Sequence, residues 1–104
     1  MEVVAFRMQL KPGYADEYRR RHDALWPELG LALREAGIHD YHIFLDEQTL
    51  HLFAVMKLHP EHRVADLPAQ AVMRKWWDYM ADIMLTEADN SPRQWPLKPM
   101  FRFD

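Results

Sequence analysis

The chain has 104 residues, which is enough for one small domain and too few for two, so we expect a single domain over residues 1–104. Its 49% hydrophobic residues support a core and exclude a disordered chain, and its formal net charge of −3 gives no reason to expect a nucleic acid or an anionic membrane as a partner. With no cysteine and no apolar stretch near the about 20 residues of a membrane span, the sequence predicts a cytoplasmic protein without disulfides or thiolate sites.

The first strand is predicted over residues 2–11, where apolar side chains occupy every second position. The apolar residues on one side of this segment are Val4, Phe6, Met8 and Leu10. A period of two is that of a strand, and the continuous apolar side indicates that this face of the strand points toward a core. Pro12 and Gly13 form a turn signal that ends the strand.

A helical stripe follows from residue 14 to about residue 36. Its members, three or four positions apart, are Tyr18, His22, Leu25, Leu29 and Leu33. Gly37 is a natural C-terminal stop for this region. Pro27 cannot continue an unbroken helix, so we expect a break or kink between Asp23 and Trp26, with Asp23 as a candidate cap of the second piece.

The remaining elements are two strands, a second helix and a last strand. Residues 39–45 and 50–58 predict a hairpin around the turn 46–49, and the apolar side of the segment 50–58 consists of Leu50, Leu52, Ala54, Met56 and Leu58. Residues 68–85 predict the second long helix, because large apolar residues recur there at helical spacing. Residues 95–103 predict a last strand, which Pro96 and Pro99 restrict to an edge or an irregular strand.

The predicted order is β-α-β-β-α-β, which is the split arrangement of the ferredoxin-like α+β folds. Two helices cover only one face of a four-stranded sheet, yet Val3 and Ala5 lie opposite Phe6 and Met8, so that both faces are apolar. A second copy of the chain would cover the free face, and we therefore expect a homodimer. RNA-recognition domains share this order, but residues 50–58 lack the glycine-spaced aromatic pattern that stacks bases.

His22 is the leading candidate for chemistry, because an imidazole titrates close to working pH and can act as a general acid or base. The alternative interpretation is a core histidine whose ring nitrogens are hydrogen-bonded within the protein. Tyr18 lies one turn earlier on the same stripe. Two polar-tipped side chains on a stripe that faces the core need partners, and a ligand pocket supplies partners as readily as the protein does.

Trp76 and Trp77 are about 100° apart on a helix and either fill the core or form the wall of a pocket, since indole faces stack on sugars. Tyr41, in the second predicted strand, is equally consistent with a packing role in the core and with a functional role. The other histidines show no metal-ligand spacing, and His39 and His42, three apart in a strand, are expected on opposite faces, so we expect no metal. The basic run at 19–21 is interpreted mainly as a solvated helix face.

Several short motifs together resemble the L-rhamnose mutarotase family over the whole chain. They are Tyr18, the RRRH run that ends at His22, WPEL at 26–29, Tyr41, WWDYMADIM at 76–84 and DNSP at 89–92. Each motif is weak alone, but all of them in this order are specific. The resemblance implies one mutarotase-like domain, a dimeric α+β barrel of ferredoxin-like subunits, and epimerisation at the anomeric carbon of L-rhamnose without a cofactor.

The resemblance also implies a role for each site residue. His22 would be the proton donor, and the sugar would be bound by Tyr18, Tyr41, Trp76 and Trp77. Exchange of anomers requires the pyranose ring to open, and an imidazole suits the proton transfers. The base that serves the anomeric hydroxyl stays open between a water and a carboxylate such as Asp78 or Asp82. A cofactor-poor oxidative enzyme of the same fold and a non-catalytic binding protein are the alternatives.

Overall fold

Four strands, three α-helices and one 3₁₀ helix alternate along the chain in the computed structural model, which describes residues 1–104. In chain order they are β1 (Glu2–Gln9), α1 (Ala15–Asp23), α2 (Pro27–Glu35), β2 (Ile38–Leu45), β3 (His51–Leu58), the 3₁₀ helix (Val64–Ala69), α3 (Ala71–Met80) and β4 (Trp95–Pro96). The strands form one antiparallel sheet in the order β2-β3-β1-β4. The predicted α+β class is thereby confirmed.

The alternation of buried and exposed side chains along β1 and β3 shows which face of the sheet belongs to the core. Phe6 pairs with Ala54 and Met8 pairs with Leu52. Met8, Leu52 and Ala54 are buried, as the apolar side predicted for both strands requires. On the opposite, outer face Val3 is 48% exposed. The helices therefore cover the inner face, and the outer face is left open.

The core lies between the inner face of the sheet and the helices. Its large, fully buried side chains are Leu10, Leu29, Leu52 and Ile83. They come from the end of β1, from α2, from β3 and from the turn after α3, so both layers contribute. None of the helices combines the length and the apolar character that a transmembrane span requires.

The predicted interruption of the first helical region at Pro27 is confirmed, because α1 ends at Asp23 and α2 begins at Pro27. Proline suits the first position of a helix, where its missing N–H has no intrahelical partner. Trp26 occupies the N-cap with the extended backbone that a residue before proline adopts. The prediction that Asp23 caps α2 is wrong, since Asp23 is the last residue of α1 and its carboxylate lies 3.9 Å from Nε of Arg19.

The second long helix is shorter than predicted over residues 68–85. Pro68 lies inside the 3₁₀ helix, and extended backbone at Gln70 separates that helix from α3. After α3 the chain turns toward the end of β1, where the N–H of Lys11 donates to the carbonyl oxygen of Ile83 at 2.9 Å. Ile83 thus reaches the core from a turn, although its spacing in the sequence is helical.

The last strand is also shorter than predicted over residues 95–103. β4 contains only Trp95 and Pro96, and it pairs with the edge of β1. One further hydrogen bond runs from the N–H of Leu97 to the carbonyl oxygen of Ala5. Pro96 has no N–H to donate and Pro99 has none either, so a longer ladder cannot form at this edge.

A β-bulge in β2 changes the faces on which its residues lie. The pairing with β3 shifts register between His39 and His42, and Asp40 adopts a left-handed backbone with φ 50°. The partners of the two histidines on β3 are two residues apart and therefore share a face. His39 and His42 consequently both lie on the outer face, and the prediction of opposite faces is wrong. Tyr41 lies on the inner face with Ile43.

Candidate active site

A cavity of about 330 Å³ lies between the inner face of the sheet and helices α1 and α3. All five residues that the sequence singles out line it: Tyr18, His22, Tyr41, Trp76 and Trp77. Most of the remaining wall is apolar. Pockets for small molecules commonly measure about 300–1,000 Å³, so this cavity has room for one small ring rather than for a large cofactor.

His22 is half-buried near the end of α1, and its ring is fixed by three neighbours. Its Nδ1 lies 2.9 Å from the carbonyl oxygen of Tyr18, which can only accept a hydrogen bond, so Nδ1 carries the proton. The ring stacks on Tyr18 at 4.3 Å between centroids and meets the edge of Trp76 at 5.3 Å. The second nitrogen, Nε2, has no protein partner and is available to a ligand.

The electrostatics of the site favour a neutral imidazole. Burial lowers the pKa of His22 below its ordinary value of 6.5, and the hydrogen bond to the Tyr18 carbonyl and the charge of Asp23 offset only part of this effect. At neutral pH the main form therefore has a proton on Nδ1 and a free lone pair on Nε2. In this form His22 accepts a proton before it can donate one.

Tyr18 and Tyr41 bring two phenol hydroxyls to the cavity, one from α1 and one from β2. Neither hydroxyl hydrogen-bonds to another protein group. The hydroxyl of the buried Tyr18 is not fully enclosed, so it remains accessible to a ligand. Burial raises the pKa of Tyr18, and the nearby Tyr41 adds to the rise. The Tyr41 side chain is 37% exposed, but protein surrounds its hydroxyl and raises its pKa to about 12. Both phenols are therefore neutral hydrogen-bonding groups.

The tryptophan pair combines the two interpretations that the sequence left open. Trp76 is only 6% exposed and belongs to the core, where it meets Trp26 edge to face at 5.1 Å. It also lines the cavity beside the half-buried Trp77. α3 thus contributes two tryptophans to the cavity wall, and neither indole N–H hydrogen-bonds to a protein acceptor.

Two polar residues of the wall were not singled out from the sequence as site residues. Asn90 and Gln94 line the cavity from the segment that leads to β4. Asn90 has φ 70°, and its side-chain amide donates to the carboxylate of Asp78 at 3.0 Å, which ties this segment to α3. The DNSP motif at 89–92 was the available signal, but a turn motif alone does not show which of its side chains reaches a pocket.

The two carboxylates considered as a second base are not among the residues that line the cavity. Asp78 accepts the hydrogen bond from Asn90. Asp82 pairs with Arg21, whose hydrogen bonds hold the pKa of Asp82 below its ordinary value. No three histidine, aspartate or glutamate side chains lie close enough together to hold a metal ion. His22 is thus the one histidine in the cavity wall, and no aspartate or glutamate lines the cavity.

A second, wider cavity of about 770 Å³ adjoins the first and shares four of the five residues, Tyr18, His22, Tyr41 and Trp76. Its rim differs, because it includes the charged residues Asp16, Arg19, Asp23 and Glu47. Trp77 lines only the smaller cavity. The five residues singled out from the sequence are therefore found together only in the smaller cavity, which is the candidate ligand site.

A neutral imidazole with a free nitrogen, set among aromatic faces and unpaired O–H and N–H groups, can move protons on a small ring that carries hydroxyls. Such a site in a small α+β fold is typical of a carbohydrate isomerase.

Comparisons with known proteins identify the family. A family model described as L-rhamnose mutarotase matches residues 3–103. The chain is 60% identical to an L-rhamnose mutarotase of Burkholderia cenocepacia over the full length of both chains, and 60% identical to one of Sinorhizobium fredii over 97% of each. The crystal structure of an L-rhamnose mutarotase from Formosa agariphila superposes with a TM-score of 0.93 at 42% identity over all of both chains. The chain belongs to the L-rhamnose mutarotase family.

Proposed function

We propose that this protein is a cytoplasmic enzyme that interconverts the α and β anomers of L-rhamnose, with His22 as its proton-transfer group. Membership of the family supports the assignment of this reaction, since relatives that match the whole chain are L-rhamnose mutarotases. The observation that supports the residue roles is the convergence of the five residues on one cavity.

The proton transfers follow from the state of the imidazole. Opening the ring moves one proton from the anomeric hydroxyl to the ring oxygen as the bond between C1 and the ring oxygen breaks. Neutral His22 accepts the anomeric proton at Nε2, and the imidazolium then donates it to the ring oxygen. Rotation about the C1–C2 bond and the reverse steps close the ring on the other face. Both oxygens are bonded to C1, so one nitrogen serves both.

This sequence gives His22 the role of proton donor in its second half and needs no separate base. It agrees with the positions of Asp78 and Asp82 outside the cavity wall. General acid–base help of this kind typically accelerates a reaction by about 10²–10⁴-fold, which is adequate for a ring opening that already proceeds slowly in water.

The other four residues are proposed to hold the sugar. The hydroxyls of Tyr18 and Tyr41 and the indole N–H groups of Trp76 and Trp77 are free to bond sugar hydroxyls, while the indole faces contact C–H groups. L-Rhamnose is a 6-deoxy sugar and carries a methyl group. The cavity wall offers apolar contacts for it, including Met8, Met56 and Met73.

No step of the cycle transfers electrons, and we propose that it needs no cofactor. The exchange rate should be the same before and after exhaustive dialysis against a chelator. A rate that falls on dialysis and returns when a divalent metal is added would contradict this part of the proposal.

We also propose that the chain is one ferredoxin-like, mutarotase-type domain over residues 1–104 and that two copies associate into a dimeric α+β barrel. The strand order β2-β3-β1-β4 supports the subunit fold. Val3 and Phe44 are 48% and 61% exposed, and association through the outer face would cover such side chains. Light scattering should give twice the chain mass of 12.5 kDa, and a monomer mass at micromolar concentration would contradict the dimer.

NMR saturation transfer between the two anomeric protons of L-rhamnose tests the function directly. L-Mannose is the matched control, because it differs only by a hydroxyl in place of a hydrogen on C6. We expect fast exchange with L-rhamnose and slower exchange with L-mannose, whose additional hydroxyl loses hydrogen bonds to water against the apolar wall. No exchange above buffer with either sugar would overturn the proposed function, and sugar binding without exchange would identify a non-catalytic binding protein.

A further inference from the structure

Arg21, the residue before His22, is the one charged side chain that the protein buries, with 9% of it exposed. Its neighbours in the same basic run are Arg19 and Arg20, whose side chains are 86% and 63% exposed. Successive helix positions differ by about 100°, so Arg21 points away from the cavity that His22 faces. The site described above leaves this buried cation without a role.

The Arg21 guanidinium joins α1 to the end of α3. Nη1 donates to the backbone carbonyl of Tyr79 at 2.7 Å, and Nη1 and Nη2 donate to the two carboxylate oxygens of Asp82 at 2.9 and 3.3 Å. The guanidinium also lies over the Tyr79 ring at 4.4 Å. Carbonyls in the last turn of a helix lack intrahelical partners, so Arg21 satisfies one that α3 leaves free.

A bond within α1 fixes the arginine from the other side. Nε donates to the carboxylate of Glu17 at 2.7 Å, which leaves the planar guanidinium hydrogen-bonded on both of its edges. The neighbouring Arg20, which is mostly exposed, hydrogen-bonds to Glu17 within α1 and also interacts with the Tyr79 side chain. Arg21 is the buried polar link, so the position of α1 relative to α3 depends mainly on this side chain together with apolar packing.

A chain of aromatic contacts also links the Arg21 guanidinium to the imidazole of His22. The Tyr79 ring under Arg21 stacks on Trp26 at 5.4 Å between centroids. Trp26 meets Trp76 edge to face, and Trp76 meets His22 in the same way. The hydrogen bonds of Arg21 and this chain of rings close a loop between the end of α1 and the end of α3.

We infer that Arg21 is a positioning residue that holds His22 of α1 in register with a sugar bound mainly by α3 and β2. The inference rests on the function proposed above. Loss of the Arg21 bonds lets α1 shift with His22 and Tyr18, while the other three residues proposed to bind the sugar, on α3 and β2, keep their places. A misplacement of about 1 Å at a reacting group can cost about 10²-fold in rate. Turnover is therefore more sensitive to Arg21 than affinity is.

The test compares Arg21→Met, which keeps the apolar stem, with Arg21→Lys and with the control Arg19→Met, which removes the same charge from an exposed position of α1. NMR exchange at several sugar concentrations gives kcat and KM, and tryptophan fluorescence gives sugar binding. Activity is expressed per folded protein from urea unfolding curves. We expect Arg21→Met to lose about 10- to 100-fold in kcat with little change in KM. Arg21→Lys should lie between it and the wild type, because an ammonium cannot form the paired bonds.

A kcat of Arg21→Met equal to that of Arg19→Met, or a loss that vanishes when corrected for the folded fraction, would overturn the inference. Should Arg21→Met fail to fold, Asp82→Asn replaces it, since Arg21 then keeps its bonds to Glu17 and Tyr79. A reduced kcat at unchanged KM in Asp82→Asn supports the inference, and a wild-type kcat overturns it. An inactive wild-type protein would instead overturn the proposed function, so the two failures are distinguishable.

Discussion

The two sides of the cavity are held in place by different forces. On the α3 side, Trp76 and Met80 are part of the buried core, and close packing fixes them. On the α1 side only Tyr18 joins that core, and the helix is otherwise anchored by the hydrogen bonds of Arg21. The α3 side, proposed to hold the sugar through Trp76 and Trp77, is thus rigid by packing. The α1 side carries His22 together with the sugar-binding Tyr18, and it depends more on directional bonds. Changes on the two sides should therefore separate affinity from turnover.

The largest effect on turnover relative to sugar affinity is expected from His22→Ala. Removal of the imidazole should lower kcat by about 10²–10⁴-fold, the usual contribution of a general acid–base group, while sugar binding and fold persist. Saturation transfer measures the exchange, and tryptophan fluorescence measures the binding. His59→Ala, an exposed histidine in the loop after β3, is the matched control and should behave as wild type. Full activity of His22→Ala would remove this residue from the mechanism.

The pH dependence of kcat/KM tests the role of His22 on the α1 side of the cavity without a substitution. Because burial lowers the pKa of His22 below 6.5, kcat/KM should be level at pH 7 and fall by about tenfold per pH unit once the pH drops through that lowered pKa. The affinity for the sugar, which is attributed mainly to contacts with the tryptophans, should stay constant over the same pH range. Activity that rises on acidification would show that the imidazolium, rather than the neutral ring, begins the reaction.

The lowered pKa also has a consequence for folding. The unfolded chain binds a proton at His22 more readily than the folded chain does, so this group reduces the free energy of unfolding as the pH falls below 6.5. In His22→Ala that part of the acid destabilisation should be absent. Urea unfolding at pH 7 and pH 5 measures it, and an equal acid effect in both proteins would contradict the burial of a neutral imidazole.

A smaller effect, on affinity alone, is expected from Trp77→Ala. One aromatic contact is typically worth about 0.5–1.5 kcal/mol, so KM should rise by roughly 2- to 12-fold while kcat changes little. Trp77 is half-buried, whereas Trp76 belongs to the core, so this variant tests the wall without opening the core. A fall in kcat at unchanged KM would place Trp77 on the proton-transfer side.

The smallest effect concerns the bulge that directs Tyr41 into the cavity. Asp40 has φ 50°, a conformation that alanine disfavours and glycine accepts. Asp40→Ala should therefore lower the folding equilibrium constant by about fivefold, and Asp40→Gly should lower it less. The two urea midpoints measure this difference. Equal midpoints would show that the side-chain bonds of Asp40 to His42 and Lys57, rather than its backbone, maintain the bulge.

Local patterns predicted much of the fold and of the site. The alternation of β1 and β3 and the interruption at Pro27 were predictable because period and proline chemistry act over a few residues. Residue chemistry and spacing made the five site residues candidates, but their roles came from the resemblance to a family, since the pattern alone left His22 and Trp76 open between core and pocket.

Features that depend on distant parts of the chain were not predictable. The bulge at Asp40 moves His39 to the outer face, and no residue pattern signals the register shift. Arg21 is buried by Tyr79 and Asp82, which are about sixty positions away, so the basic run looked like a solvated helix face. Tertiary contacts decide both cases, and a single sequence does not display them.

The hydrogen bond from His22 to the backbone of its own helix has a kinetic meaning. Many catalytic histidines donate a hydrogen bond to a carboxylate, which makes the ring more basic and slows the release of its proton. Here the acceptor is an uncharged carbonyl. A carrier for a freely reversible exchange between two forms of similar energy must release each proton as readily as it takes one up. In the proposed cycle the weakly basic ring of His22 meets that requirement in both directions, so the sugar is not held at the open-chain stage.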